Sequence, residues 1–165
     1  MSLIPTNSKA QGFWQYSAQY YHAAEAVRNS SGRELLMPAL QLYGLSIELA
    51  LKAFILKRGT PLAQVKGLSH NLILILALAR KRKLGTEIKL SKNDLALISL
   101  LNMNYASHRF RYITSGPTRV PQLAHIALVT ERLVTSLEQY CTGMVWGIYR
   151  SRGISIQQAQ RKMPR

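Results

Sequence analysis

Acidic residues are what this chain most lacks. Seven Asp and Glu stand against 22 Lys and Arg over 165 residues, and Asp94 is the only aspartate. A serine triad needs a buried Asp to orient its His, and Asp94 is committed to a helix start by Ser91 three residues earlier. Cysteine is scarcer still: Cys141 stands alone, so no disulfide framework exists. Its apolar helical surroundings give it the role of a small buried hydrophobe in a reducing compartment. There is no CxxC, no HExxH and no glycine-rich phosphate loop, and the four histidines lack ligand spacing, so neither metal nor cofactor is expected. The longest apolar run, Leu72 to Ala79, is too short to span a bilayer. Met1 to Asn7 is short, holds Pro5 and does not resemble a signal peptide. These absences describe a cytoplasmic protein with no membrane segment.

What is present in excess is positive charge. A net +15 says nothing about fold but argues for an anionic partner: nucleic acid, an acidic protein or an anionic surface. The alternative is a basic surface with no such partner. The length fits one domain able to bury a core unaided, taken as residues 1–150, with a basic, flexible tail over 151–165.

Periodicity is helical almost throughout. Phe13, Tyr16, Tyr20, Ala24 and Val27 give a first helix over 11–29, with Trp14 and Tyr21 on an adjoining strip. Ser31 and Glu34 have capping-box spacing for the second, which Pro38 either kinks or begins, and which stops at Gly59. Ser69 caps a third helix from His70 to Lys83. Ser91 with Asp94 opens a fourth, to about Ser107. After an ordered loop over 109–120, Pro121 starts a long last helix. The fold class is all-α: an antiparallel up-and-down bundle of four to five helices.

Four features can carry chemistry. Glu48 sits among Ile47, Leu49, Leu51, Phe54, Ile55 and Leu56, so its charge needs partners, and Lys52 one turn on supplies part. A second feature is His70, at the mouth of an apolar helix, where a neutral imidazole can bridge Glu48 to the backbone or to Arg111. The expected result is a buried polar cluster of Glu48, Lys52, His70 and Arg111, read as a packing device rather than a catalytic centre. Third, Tyr105-Ala-Ser-His-Arg-Phe-Arg-Tyr112 alternates cations with aromatics, a composition suited to phosphate contacts and base stacking. In an extended segment Arg109 and Arg111 would share one face, Phe110 and Tyr112 the other. Arg111 turned inward to Glu48 would serve structure instead. Last, Arg80, Lys81, Arg82 and Lys83 complement a helix C-terminus; as a nucleic-acid patch, together with Arg109, they would act through phosphate charge.

The order SIELALK, then Gly-Leu-Ser-His-Asn-Leu over 67–72, then Asn-x-x-Tyr and Arg-Tyr over 102–112 before a long last helix, resembles the HEPN superfamily of small bacterial α-helical proteins. The similarity covers roughly Tyr16 to Tyr149. It implies a bundle of four or five helices, commonly a homodimer. It also implies ribonuclease activity or non-catalytic binding of RNA or nucleotides, often in toxin–antitoxin, defence or stress systems. Catalytic members carry an Arg, usually followed by a polar residue, and a His four to six residues on. Only Arg119-Val-Pro-Gln-Leu-Ala-His125 has that spacing here, and it departs in Val120 and in Pro121, which places Arg119 before the helix. If the match holds, His125 would transfer protons during attack of a 2′-hydroxyl and Arg119 would hold the phosphate. The resulting expectation is an RNA- or polyanion-binding domain without nuclease activity. Its rivals are a metal-independent ribonuclease using Arg119 and His125, and an interaction module for an acidic protein.

Overall fold

A helix apolar around most of its circumference must sit at the centre of a bundle, because no face suits water. Leu36–Lys57 is that helix, α2, in the computed structural model of the chain, which describes residues 6–30, 35–112 and 116–143. Around it lie α1 (Thr6–Ser30), α3 (Leu62–Gly67), α4 (Leu72–Lys81), α5 (Lys92–Tyr105) and α6 (Leu123–Thr142), with a 3₁₀ turn at Leu84–Thr86. The described residues contain six α-helices and no strand, packed antiparallel, so the all-α bundle expected from periodicity is the observed architecture. By length and composition alone α2 could cross a membrane, but most of it is buried inside the bundle, which is where a core helix belongs. It packs most extensively on α1, then on α6 and α4.

The buried face of α1 is rotated from the stripe expected. Ala10, Trp14, Ser17, Ala18, Tyr21 and Ala24 are buried, whereas Tyr16 is exposed and Phe13 and Val27 only flank the core. Small residues decide the matter, because they let helices approach closely. Ser17 Oγ donates to the Ser46 carbonyl at 2.7 Å and Ser46 Oγ to the Ser17 carbonyl at 2.9 Å, a reciprocal clasp between α1 and α2. Trp14 belongs to the core, its indole N–H donating to the Val134 carbonyl on α6 at 2.9 Å.

Helix ends follow local chemistry, with some shifts. Leu36 starts α2 two residues before Pro38, which falls in the first turn, where a missing N–H costs nothing. Gly59 adopts a left-handed φ of 85° just beyond its end. The connection to α4 holds α3, a short helix with Val65 as its buried residue, too short to show a period. Asn71, not Ser69, caps α4, its side chain accepting from the N–H groups of Ile73 and Leu74. Ser91 and Asp94 form the expected capping box, and Arg132 of α6 pairs with Asp94 at 3.0 Å. α6 starts at Leu123, two residues after Pro121, and ends at Gly143 in the left-handed region. The Ser31–Glu34 spacing, Trp146 and the basic tail over 151–165 lie outside the described residues.

Candidate functional site

Three elements converge on Glu48, which is 3% exposed. From one turn along α2, Lys52 donates to Oε1 at 2.7 Å, and the same ammonium donates to the Ser69 carbonyl at 2.6 Å. Before α4, His70 places Nδ1 2.9 Å from Oε2. At the end of α5, the Tyr105 hydroxyl donates to Oε2 at 2.6 Å. Burial first, then the adjoining Glu48 carboxylate, pushes the Tyr105 phenol far above its ordinary pKa, with Arg111 acting weakly the other way. Tyr105 therefore remains a proton donor to Glu48.

Arg111, expected inside this cluster, is exposed, and no ion pair joins it to Glu48. Tyr105 holds the place assigned to it. Sequence reading missed this hydroxyl, although Gly44 was a signal. A glycine inside an apolar helix costs roughly 1 kcal/mol relative to alanine, so its presence asks for a reason. The reason is steric: a Cβ at Gly44 would lie 2.4 Å from Tyr105 Cδ2, so only glycine lets that ring lie against α2.

The cluster has a closed side and an open one. Glu48, Lys52 and Tyr105 are buried, but the His70 side chain is 38% exposed. Its ring packs edge-on against His108, centroids 5.6 Å apart, and against Tyr105 at 6.2 Å. His108 Nδ1 is buried and finds no hydrogen-bond partner among the described residues. Backbone strain gathers here as well. Of the three non-glycine residues with positive φ among the described residues, Ser69 (51°) precedes His70 and His108 (59°) faces it. Such conformations cost free energy and persist where surrounding contacts enforce them.

Beyond His108 the chain does not extend as expected. Arg109 N–H donates to the Asn104 carbonyl and Arg111 N–H to the His108 carbonyl, both at 2.9 Å, making a hydrogen-bonded turn. Cations and aromatics therefore share a site instead of dividing between faces. Arg109, Phe110, Arg111 and Tyr112, with Met37, Gly116 and Thr118, line a surface cavity of about 440 Å³. That volume falls in the range of small-ligand pockets. Phe110 leans on the core while Tyr112 is 71% exposed.

The remaining basic candidates lie elsewhere. Arg80, Lys81 and Lys83 are exposed and Arg82 half-buried, all at the C-terminal end of α4. His70 adjoins the opposite end of that ten-residue helix, roughly 15 Å away at 1.5 Å per residue. The run and the Arg109 turn are thus separate basic surfaces. Arg58 is spent on structure, ion-paired with Glu87 at 3.2 Å and stacked over Tyr140 at 4.8 Å. Arg119 and His125 are both exposed, Arg119 before α6 with its carbonyl held by Asn104 Nδ2 at 2.8 Å, His125 in the first turn. Among the described residues no group of three or more His, Cys, Asp or Glu could hold a metal ion. Comparison with protein-family models, curated proteins and solved structures yields no match.

Proposed function

We propose that this protein binds RNA, or another polyanion of similar chemistry, at the cavity lined by Arg109, Phe110, Arg111 and Tyr112, as a HEPN-like domain without nuclease activity. The observation that supports the reading is the lining of one cavity by two arginines, Phe110 and Tyr112. Guanidinium groups meet phosphates, and the exposed Tyr112 ring offers a face to an unstacked base. The net charge of +15 supplies long-range attraction, and Arg80 to Lys83 a second phosphate-contacting surface. Next to the Arg109 turn, the Glu48 cluster holds α2, α5 and the entrance to α4 together, fixing the turn that follows Tyr105. The HEPN resemblance adds a homodimer in a toxin–antitoxin, defence or stress system, and the lone cysteine a reducing, cytoplasmic setting.

Fluorescence anisotropy with a labelled single-stranded RNA tests the proposal. Binding at low salt that weakens steeply as salt rises is expected. A folded sample that binds no nucleic acid at low salt overturns it and leaves the acidic-protein partner as the better reading. The ribonuclease alternative keeps one favourable observation, the joint exposure of Arg119 and His125 beside a pinned backbone. RNA cleavage that disappears in His125→Ala establishes it; equal activity of both proteins removes it.

A further inference from the structure

Glu48 does more to His70 than bury a charge. A carboxylate already paired with Lys52 offers only acceptor oxygens, so the hydrogen between Glu48 and His70 resides on Nδ1. The neutral ring then carries its unshared pair on Nε2. Buried carboxylates that hold an imidazole in this way fix its tautomer and its ring orientation. The cluster keeps every member inside except the ring that would react, which is 38% exposed. Lys52 fixes the preceding carbonyl, so the left-handed Ser69 and the direction of His70 are set by a buried cation. Arg109 follows His108 directly, placing cationic chain beside the exposed ring. A nucleophile with a fixed tautomer, held by a buried acid at a cationic surface, is suited to accept a phosphoryl group.

We propose that His70 is a covalent phosphoryl-accepting site, phosphorylated at Nε2 by a small high-energy donor of the phosphoramidate or acyl-phosphate class. The Nε2 lone pair attacks phosphorus and the bond from phosphorus to the donor nitrogen or oxygen breaks. The leaving group departs with the bonding electrons, as ammonia after taking one proton from water or as a carboxylate. Nε2 bears no hydrogen in this tautomer, so no proton must leave the ring at that atom. Nδ1–H stays on Glu48 throughout, and the positive charge that develops on the imidazole faces that carboxylate. This site is independent of RNA binding.

The chain holds its own control, because His125 is exposed without being part of the Glu48 cluster. Incubating the full-length protein with phosphoramidate at neutral pH, followed by mass spectrometry under alkaline conditions, reads where a phosphoryl group is added. Preferential addition at His70 over His125 is expected, acid-labile and absent from His70→Gln. Glu48→Gln should slow labelling about 10- to 100-fold, the usual effect of removing a carboxylate that orients an imidazole. Asp94→Asn, which weakens the contact between α5 and α6 and leaves the Glu48 cluster untouched, should label like wild type and so separates orientation of the ring from loss of stability. Labelling of His125 ahead of His70, no adduct at His70, or an equal loss in Asp94→Asn and Glu48→Gln overturns the proposal.

Discussion

Replacing Glu48 with alanine should be the most damaging single change in the cluster. The variant strands the Lys52 ammonium, 6% exposed, and leaves the Tyr105 hydroxyl in the core without its acceptor. Breaking a buried ion pair by removing one partner costs about 3–5 kcal/mol. An orphaned buried hydroxyl adds about 1–3 kcal/mol. Partial relaxation and the retained bond from Lys52 to the Ser69 carbonyl keep the two costs from adding fully. A total of about 4–5 kcal/mol is expected, and at about 2–4 °C per kcal/mol for a chain of this size Tm falls by roughly 10–15 °C. Thermal and urea denaturation followed by circular dichroism measure it. The double variant Glu48→Met with Lys52→Met removes both charges and should recover about 2 kcal/mol or more, because an apolar replacement strands neither. If Glu48→Ala lies within about 1 kcal/mol of wild type, or the double variant is no better than the single one, the reasoning is wrong.

Other expectations follow from neighbouring contacts. Gly44→Ala should lose about 1–3 kcal/mol by overpacking against Tyr105, exceeding the alanine's gain in helix propensity; a rise in the urea midpoint would contradict it. For Asp94, burial pushes the carboxyl upward, but hydrogen bonds from Ser91 and Arg132 outweigh it and hold the pKa below its ordinary value. Its contribution is therefore present above the unfolded pKa of about 4 and lost as pH falls through the folded value. The urea-stability gap between wild type and Asp94→Asn should accordingly narrow below about pH 4; a gap independent of pH would count against the pairing. Burial pushes the Cys141 thiol up to about 12, against the pull of Lys57. A colorimetric thiol reagent near pH 8 should leave it untouched in the native protein and react rapidly in guanidinium, and fast native reaction would contradict its burial.

Much of the bundle is legible in the residues, and the exceptions have physical causes. α2 declares itself through its apolar run, its Gly59 stop and an acid that needs company. Lys52 is readable as a partner from helical spacing and His70 from its place at a helix mouth, since both are local patterns. Tyr105 is not, because its bond to Glu48 depends on where α5 crosses α2, and only Gly44 hints at that crossing. Arg111 misleads for the same reason: charge complementarity points to a pair that the turn after His108 does not allow. In α1 an aromatic stripe suggests the core, yet close packing selects the face with Ala18, Ala24 and Ser17. The cavity lined by Arg109 to Tyr112 needs a turn held by backbone hydrogen bonds to Asn104 and His108, which composition alone reads as an extended strip.

The central claim is that the Arg109 turn binds nucleic acid through phosphate contact and base stacking. Its most direct test is single-stranded RNA affinity measured across a salt series for wild type, Arg109→Ala/Arg111→Ala and Tyr112→Ala. Each lost phosphate contact on a single strand removes about 0.7 from the logarithmic salt slope, so the double arginine variant should bind more weakly with a slope shallower by about 1.4. Tyr112→Ala should lose about 1–3 kcal/mol of affinity with the wild-type slope. Unchanged affinity and slope in the double arginine variant would contradict the claim.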